Sequence, residues 1–184
     1  MRARQFDYGL LAVVGSDVFI SAAVEIRRPH LVRIGNHVAI DSGFYCTVAA
    51  ELADYIHIGP YVTAIGGAGS TLRMSHFTTI GAGTRIVCGS DEFFGEGLVG
   101  STVPEAYRDH VRLSTVTLEM FASLGTNVVV HPEVTVAEGS VVGSCSLVTE
   151  DTEPWTIYHG VPARPVRERR REKMIAAARA LGYL

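Results

Sequence analysis

Residues 118–148, LEMFASLGTNVVVHPEVTVAEGSVVGSCSLV, place an aliphatic side chain at every sixth position: Leu118, Leu124, Val130, Val136, Val142 and Val148. The fifth member of each hexad is small or β-branched, as Ala122, Val128, Val134, Ser140 and Ser146. Glycine follows the aliphatic residue at Gly125 and Gly143. A step of six suits neither an amphipathic helix nor a two-sided strand. It is the repeat of a β-helix, in which short strands wind into flat triangular coils that stack on one another. The aliphatic residue points into a narrow prism, the small residue leaves room near a corner, and glycine relieves the turn.

The same step extends through most of the chain. Val14, Ile20 and Ile26 keep it. After a two-residue slip Ile34, Ile40, Cys46, Leu52, Ile58 and Ala64 follow, with Val38, Phe44, Ala50, Ile56, Val62 and Ala68 four places behind each. Met74, Ile80 and Ile86 form a third run, with Thr78, Thr84 and Ser90 in the small position. An irregular sandwich of short strands is the competing all-β reading, but it gives no reason for two positions of each hexad to agree over so many repeats.

At 184 residues the chain suits one domain with a sizeable core. Sixteen Lys and Arg against nineteen Asp and Glu give a net charge of −3, which offers nothing to attract nucleic acid. Three cysteines do not make a disulfide framework. Cys46 falls on an inward hexad position and packs as a small apolar residue, while Cys88 and Cys145 have no evident activating base. The apolar stretch 9–15 follows Asp7 and lacks a small-residue cleavage site, so residues 1–15 read as a first strand and not a signal peptide. No run approaches the length of a membrane span, and a cytoplasmic chain is expected.

Two regions break the repeat. Residues 90–116 form a long excursion containing Pro104, Tyr107, Arg108, Asp109 and His110. A regular solenoid does not need it, so it either serves a site or bolts subunits together. The second break follows Val148: Pro154 stops the hexads and Ile157-Tyr158-His159-Gly160-Val161-Pro162-Ala163-Arg164 follows. Residues 166–181 then read as a helix with an apolar stripe of Val166, Met174, Ala177, Ala178 and Leu181, placed to cap the open end of the solenoid. The expected organisation is a β-helix over residues 1–165, with the loop insertion at 90–116, and a C-terminal helix over 166–184.

The hexads, the long loop and the ending Val148-Thr149 … Gly160-Val161-Pro162-Ala163-Arg164 resemble the hexapeptide-repeat acyltransferases, from about Val14 to Arg164. The resemblance implies an all-β, left-handed parallel β-helix. The ending points to coenzyme A-dependent sugar acetyltransferases. Gly89-Ser90-Asp91-Glu92-Phe93 with its Pro-containing loop, and Trp155-Thr156-Ile157-Tyr158, are similar to acyltransferases that modify nucleotide-linked amino-dideoxy sugars for surface polysaccharides. The same resemblance implies acetyl-CoA as co-substrate, a nucleotide sugar as acceptor and a homotrimer. Acetyl-CoA then lies along one edge of the prism, between neighbouring subunits.

In that family, small residues at stacked turns receive the pantetheine arm. Three hexads, about eighteen residues, carry the chain once around, so Gly125-Thr126 and Gly143-Ser144 fall on one edge. Gly81-Ala82 joins them if the loop interrupts only one corner. Ala82, Thr126 and Ser144 are thus cofactor-binding candidates, although plain tight corners use the same residue types. Thr149 matches a family position near the cofactor, with Glu150 where relatives often carry lysine. Arg164 and Arg167 match positions that contact the nucleotide part of CoA, whose phosphates suit guanidinium forks. Arg169, Arg170 and Arg171 read as a solvated helix face.

In the galactoside and maltose acetyltransferases a histidine at the start of the long loop is the general base on a hydroxyl. Aligning Ile86-Val87-Cys88-Gly89-Ser90 with the strand before it puts Asp91 in its place. A sugar hydroxyl is a very weak acid and needs a well-placed base. An amine is nucleophilic when neutral and needs only to lose a proton as the tetrahedral intermediate forms. Asp91 therefore tilts the acceptor toward an amine. His110, in the same loop, and His76, at a turn of the third run, are the alternative bases, and either would favour O-acetyl transfer to a saccharide hydroxyl. His131 and His159 are surface candidates. No Ser or Cys has an activating partner, so the attack is read as direct. Residues 66–70, Gly-Gly-Ala-Gly-Ser, either open space for the sugar or form a plain loop.

Two other classes are weighed. Carbonic anhydrases of this fold hold zinc on histidines, two of them five residues apart. Here the residues five after His57, His76 and His110 are Val62, Gly81 and Thr115, so no metal is expected. A non-enzymatic scaffold has no use for the CoA-type ending.

Overall fold

In the computed structural model, which describes residues 6–184, the chain winds into the expected parallel β-helix of about seven coils. The first face stacks Val13–Val14, Val32–Ile34, Ala49–Leu52, Thr71–Met74, Thr115–Leu118 and Thr135–Val136. The second stacks Val18–Ile20, Val38–Ile40, Ile56–Ile58, Thr79–Ile80, Ser123–Leu124, Val141–Val142 and Thr156–His159. The third runs from Glu25–Ile26 through Tyr45–Cys46, Thr63–Ile65, Arg85–Val87 and Val129–Val130 to Leu147–Val148. Hexad aliphatics meet in register from coil to coil: Leu118 with Val136, Leu124 with Val142, Val130 with Val148. Of the expected first strand, Val13–Val14 is present after a 3-10 turn at Tyr8–Leu10; residues 1–5 lie outside the described range.

The aliphatic hexad positions form one buried column, and Ile40, Cys46, Ile58, Ala64, Ile86, Leu118, Val130, Val136 and Val142 are wholly sealed. Each large member contributes about 1.5–3 kcal/mol of apolar burial. Only the first coil departs: Val14 is exposed and Ile26 half-buried, because no coil covers them from below. The small position carries hydroxyls for a reason. Thr84 Oγ1 donates to the Gly125 carbonyl at 2.9 Å and Ser140 Oγ to that of Thr156 at 3.0 Å, so these buried polar groups bond across coils at the corner. Ala68 does not hold the position assigned to it. Residues 66–69 bulge out, Ala68 is exposed, and buried Leu72 takes the inward place, stacked on Ala50.

The corner between the first and second faces turns through left-handed backbone at Asp17, His37, Tyr55, Phe77, Phe121 and Trp155. That conformation costs a non-glycine residue roughly 1–2 kcal/mol. Stacking offsets it: ring centroids lie 4.5 Å apart from His37 to Tyr55, 5.0 Å from Tyr55 to Phe77 and 5.5 Å from Phe77 to Phe121. In the remaining coil Gly139 stands in this ladder, because the Trp155 ring occupies the space a side chain would need.

The C-terminal segment differs from its expected form. Arg164–Glu168, Val166 included, is a strand antiparallel to Thr156–His159, and the helix spans only Glu172–Ala180. The strand covers the last free edge of the second face, so hydrogen bonding at that edge outweighs helix propensity. The helix does not cap the end. It runs back along the aromatic corner, setting Met174, Ile175 and Ala178 against Phe121 and Trp155. Arg169 is not on a solvated face either: its Nη1 donates to the carbonyls of Phe121, at 2.8 Å, and Gly139, at 3.0 Å. Beyond the helix the Tyr183 hydroxyl donates to Asp54 Oδ2 at 2.7 Å. Among the described residues no helix is long and apolar enough to cross a membrane.

Candidate active site

The insertion begins as a hairpin in which Gly89–Asp91 pairs antiparallel with Val111–Leu113, Asp91 opposite Val111. Its base is tied to the solenoid by Ser114, whose N–H and hydroxyl both donate to the Cys88 carbonyl at 2.8 Å. Gly89 is required there, since a Cβ would stand 2.9 Å from Ser70 Oγ and 3.1 Å from the Arg112 carbonyl. Just beyond the paired strands, buried Asp109 accepts from the N–H groups of Gly95, at 2.8 Å, and His110, at 2.7 Å. Burial alone would raise the Asp109 carboxyl. The N–H bonds from His110 and Gly95 outweigh burial and hold it below the ordinary carboxylate range.

Between this hairpin and the 66–69 bulge lies a cleft of about 750 Å³. Tyr45, Thr47, Gly66 and Gly67 form one wall, and Asp91, Arg108, His110 and Leu113 the other. A second cleft of about 510 Å³ opens on the far side, lined by Phe93, Phe94, Val129 and His131. Ser90 and Asp91 line both. Among the described residues, no hydrogen bond or ion pair engages the Asp91 carboxylate, and Asp91 lines both clefts.

His110 shares the larger cleft, with Nε2 at 2.9 Å from Glu96 Oε2. His76 is not brought to them. It sits at the corner between the first and second faces, where its Nδ1 accepts from the Asp54 N–H at 3.1 Å and its ring lies 4.8 Å from Tyr183. A hexad corner position reads alike at any of the three corners, which is why the sequence could not separate it from the loop.

The corner between the second and third faces carries the small-residue edge. A Cβ on Gly81 would meet Gly125 and Thr126 backbone at 2.6–2.8 Å, and one on Gly125 would meet Ser144 N at 2.7 Å. The Thr126 N–H donates to Ser144 Oγ at 3.2 Å. Ala82, Thr126 and Ser144 are therefore stacked, as the repeat predicted, and His159 continues the column over Gly143. Arg164 pairs with His159 at the end of this column, and Arg167 with Ile157 farther along the same strand. Both arginines are exposed, without an ion pair among the described residues. Thr149 lies elsewhere: it follows Leu147–Val148 at the next corner, exposed, across the third face from Ser144. Tyr45, Thr47 and Arg108 were not singled out as site residues. Tyr45 and Thr47 lie on one coil and Arg108 in the insertion, about sixty residues later, and the one local signal was the glycine-rich bulge beside the first two.

No family model matches the chain. It is 31% identical over 161 residues to dTDP-4-amino-4,6-dideoxy-D-glucose acyltransferase from Escherichia coli, an alignment spanning 85% of the chain and 81% of the relative. Its fold matches AntD, an N-acyltransferase from Bacillus cereus solved with dTDP and 3-hydroxybutyryl-CoA. The TM-score is 0.87 at 31% identity, over 94% of this chain and 91% of AntD. An AntD variant solved with dTDP-4-amino-4,6-dideoxyglucose and coenzyme A gives the same TM-score, 0.87, at 31% identity over 95% and 92%. An identity of 31% carried along more than four-fifths of both chains, with the same fold, makes this protein a member of the hexapeptide-repeat acyltransferases, in the family of the nucleotide-linked amino-dideoxy-sugar enzymes.

Proposed function

We propose that this acyltransferase moves an acetyl group from acetyl-CoA to the amine of a nucleotide-linked 4-amino-dideoxy sugar, with Asp91 accepting the proton. The observation that carries the reading is Asp91, a residue that lines both clefts and whose carboxylate has no partner among the described residues. The neutral amine attacks the thioester carbonyl, the C–N bond forms, and the proton it sheds passes to Asp91. Collapse of the tetrahedral intermediate breaks the C–S bond, and the leaving thiolate takes up the proton. A carboxylate suffices because the amine becomes strongly acidic once it has added. Ala82, Thr126 and Ser144 would receive the pantetheine arm, with Arg164 and Arg167 toward the nucleotide end; Thr149, at another corner, is left out of this edge. His76 is left out of this reading by its position.

The edge and the hairpin leave the prism at different corners, which supports a homotrimer in which one subunit's edge meets its neighbour's hairpin. A cytoplasmic role in surface polysaccharide synthesis accords with a nucleotide-linked acceptor. His110, lining the same cleft, supports O-acetyl transfer as the second reading. Release of free CoA thiol is the test, with acceptors that pair each nucleotide-linked amino sugar with its hydroxyl counterpart. Turnover of the amines alone is expected. Turnover of the hydroxyl sugars alone would transfer the role to histidine and overturn the proposal.

A further inference from the structure

The larger cleft holds more charge than proton transfer uses. Apart from Tyr45, its ionisable lining is Asp91, Glu105, Arg108, Asp109 and His110. Two of these are already engaged. Asp109 is buried with both oxygens bonded to backbone N–H groups, and His110 faces Glu96 at 2.9 Å. Arg112, the neighbouring cation, is bonded to Glu92 at 2.9 Å and lies 3.6 Å from Glu133. Among the described residues, Asp91, Glu105 and Arg108 are left without a side-chain partner.

Arg108 is not a loosely held surface arginine. It is half-buried, and the backbone on either side is fixed. The Leu98 N–H donates to the Tyr107 carbonyl at 2.8 Å, the Asp109 N–H to the Leu98 carbonyl at 3.0 Å, and the Arg108 N–H to the Glu105 carbonyl at 3.2 Å. A half-buried arginine that lines a cleft and has no anion bonded to it leaves its guanidinium available to an anionic ligand.

We infer that Arg108 binds the diphosphate of the nucleotide-linked acceptor, an inference that rests on the acceptor proposed above. A guanidinium presents paired donors that match phosphate oxygens. The cleft then offers a cation on one limb of the hairpin and a free carboxylate, Asp91, at its base. That is the complement of a molecule that is anionic at its diphosphate and basic at its amine. A hydroxyl sugar on the same nucleotide would satisfy only one end. Arg108 thus sets where the sugar lies, and with it which amine reaches Asp91.

The test is calorimetric titration of dTDP and of CoA into wild type, Arg108→Gln, Arg108→Lys and Glu105→Gln, beside kinetics on a dTDP-linked amino sugar and the methyl glycoside of that sugar. A hydrogen bond to a charged group is worth about 1.5–3 kcal/mol, so Arg108→Gln should weaken dTDP binding and raise the KM of the nucleotide-linked acceptor about 10–100-fold. CoA affinity, melting temperature and turnover of the methyl glycoside should not change, and Arg108→Lys should recover part of the loss. Wild-type dTDP affinity in Arg108→Gln overturns the inference while leaving the acceptor reading intact. An equal loss in Glu105→Gln, or a matching loss on the methyl glycoside, overturns it in favour of a structural role. A wild-type protein that binds CoA but not dTDP overturns the acceptor reading as well.

Discussion

Replacing Gly125 by alanine strikes the small-residue edge at its centre. A Cβ there would stand 2.7 Å from Ser144 N, 2.9 Å from Ser144 Oγ and 3.0 Å from the Gly143 carbonyl carbon. Most of these are backbone atoms of the next coil, which no rotamer change can move. Ordinary contact begins near 3.4 Å, so the coils must part by about 0.7 Å at this corner. The Gly125 N–H donates to the Val142 carbonyl at 2.8 Å and would be stretched toward the limit of a hydrogen bond. Overpacking of this kind costs about 1–3 kcal/mol, and each kcal/mol lowers the melting temperature by about 2–4 °C for a chain of this size. Gly143→Ala is the control. The three atoms nearest to the methyl there all belong to the imidazole of exposed His159, which can rotate aside, so the loss should stay near surface values of about 0.5 kcal/mol. The assay is paired thermal and urea unfolding, with CoA affinity measured on the folded variants. Equal losses for the two substitutions, or an undiminished melting temperature in Gly125→Ala, would refute the stacking argument.

The Tyr183–Asp54 bond makes stability depend on pH at both extremes. Donation to Asp54, chiefly, pushes the Tyr183 hydroxyl from its ordinary 10.0 up to about 12, so its contribution is complete below pH 10 and is lost as pH rises toward 12. Urea midpoints should fall through that window in wild type and stay flatter in Tyr183→Phe. For Asp54, burial pushes the carboxyl up. The bonds from Asn36 and Tyr183, with His76 nearby, outweigh burial and hold it below its ordinary 3.8. That contribution is present above pH 4 and disappears as pH falls through the lowered value, so Asp54→Asn should flatten the acid limb. Burial also pushes the Cys46 thiol to about 11 and that of Cys88 to about 12, while Cys145 is exposed beside Ser144. Mass spectrometry after iodoacetamide treatment of the native protein should find Cys145 alone modified, more slowly with CoA present; labelling of Cys46 or Cys88 would contradict the burial.

What could be read from the chain was what repeats. A prism of stacked coils imposes one step on every face, so Leu118 to Val148 disclosed the core, the corners and the alignment of Gly81, Gly125 and Gly143. Ambiguity entered where the step carries no label. His76 and Thr149 occupy valid corner positions, but the sequence does not say which corner. Ala68 fitted the count, yet four residues bulged ahead of Ser70. At the C-terminus, alanine and arginine content favoured a helix from 166, and an unpaired strand edge took residues 164–168 instead. Arg169 looked solvated because its partners, the carbonyls of Phe121 and Gly139, are backbone atoms far away in sequence. The hairpin was visible as an interruption. Its cleft was not, since Tyr45 and Arg108 meet only after two coils and an insertion have been folded between them.

Proton acceptance by Asp91 is tested most directly by kcat for acetyl transfer to a nucleotide-linked amino sugar in Asp91→Asn, with His110→Ala alongside. Asparagine keeps the shape and removes the base. A fall in kcat of about 10²–10⁴-fold, at unchanged KM for acetyl-CoA and with His110→Ala near wild type, is the predicted result. Full turnover by Asp91→Asn, with activity abolished in His110→Ala, would contradict it.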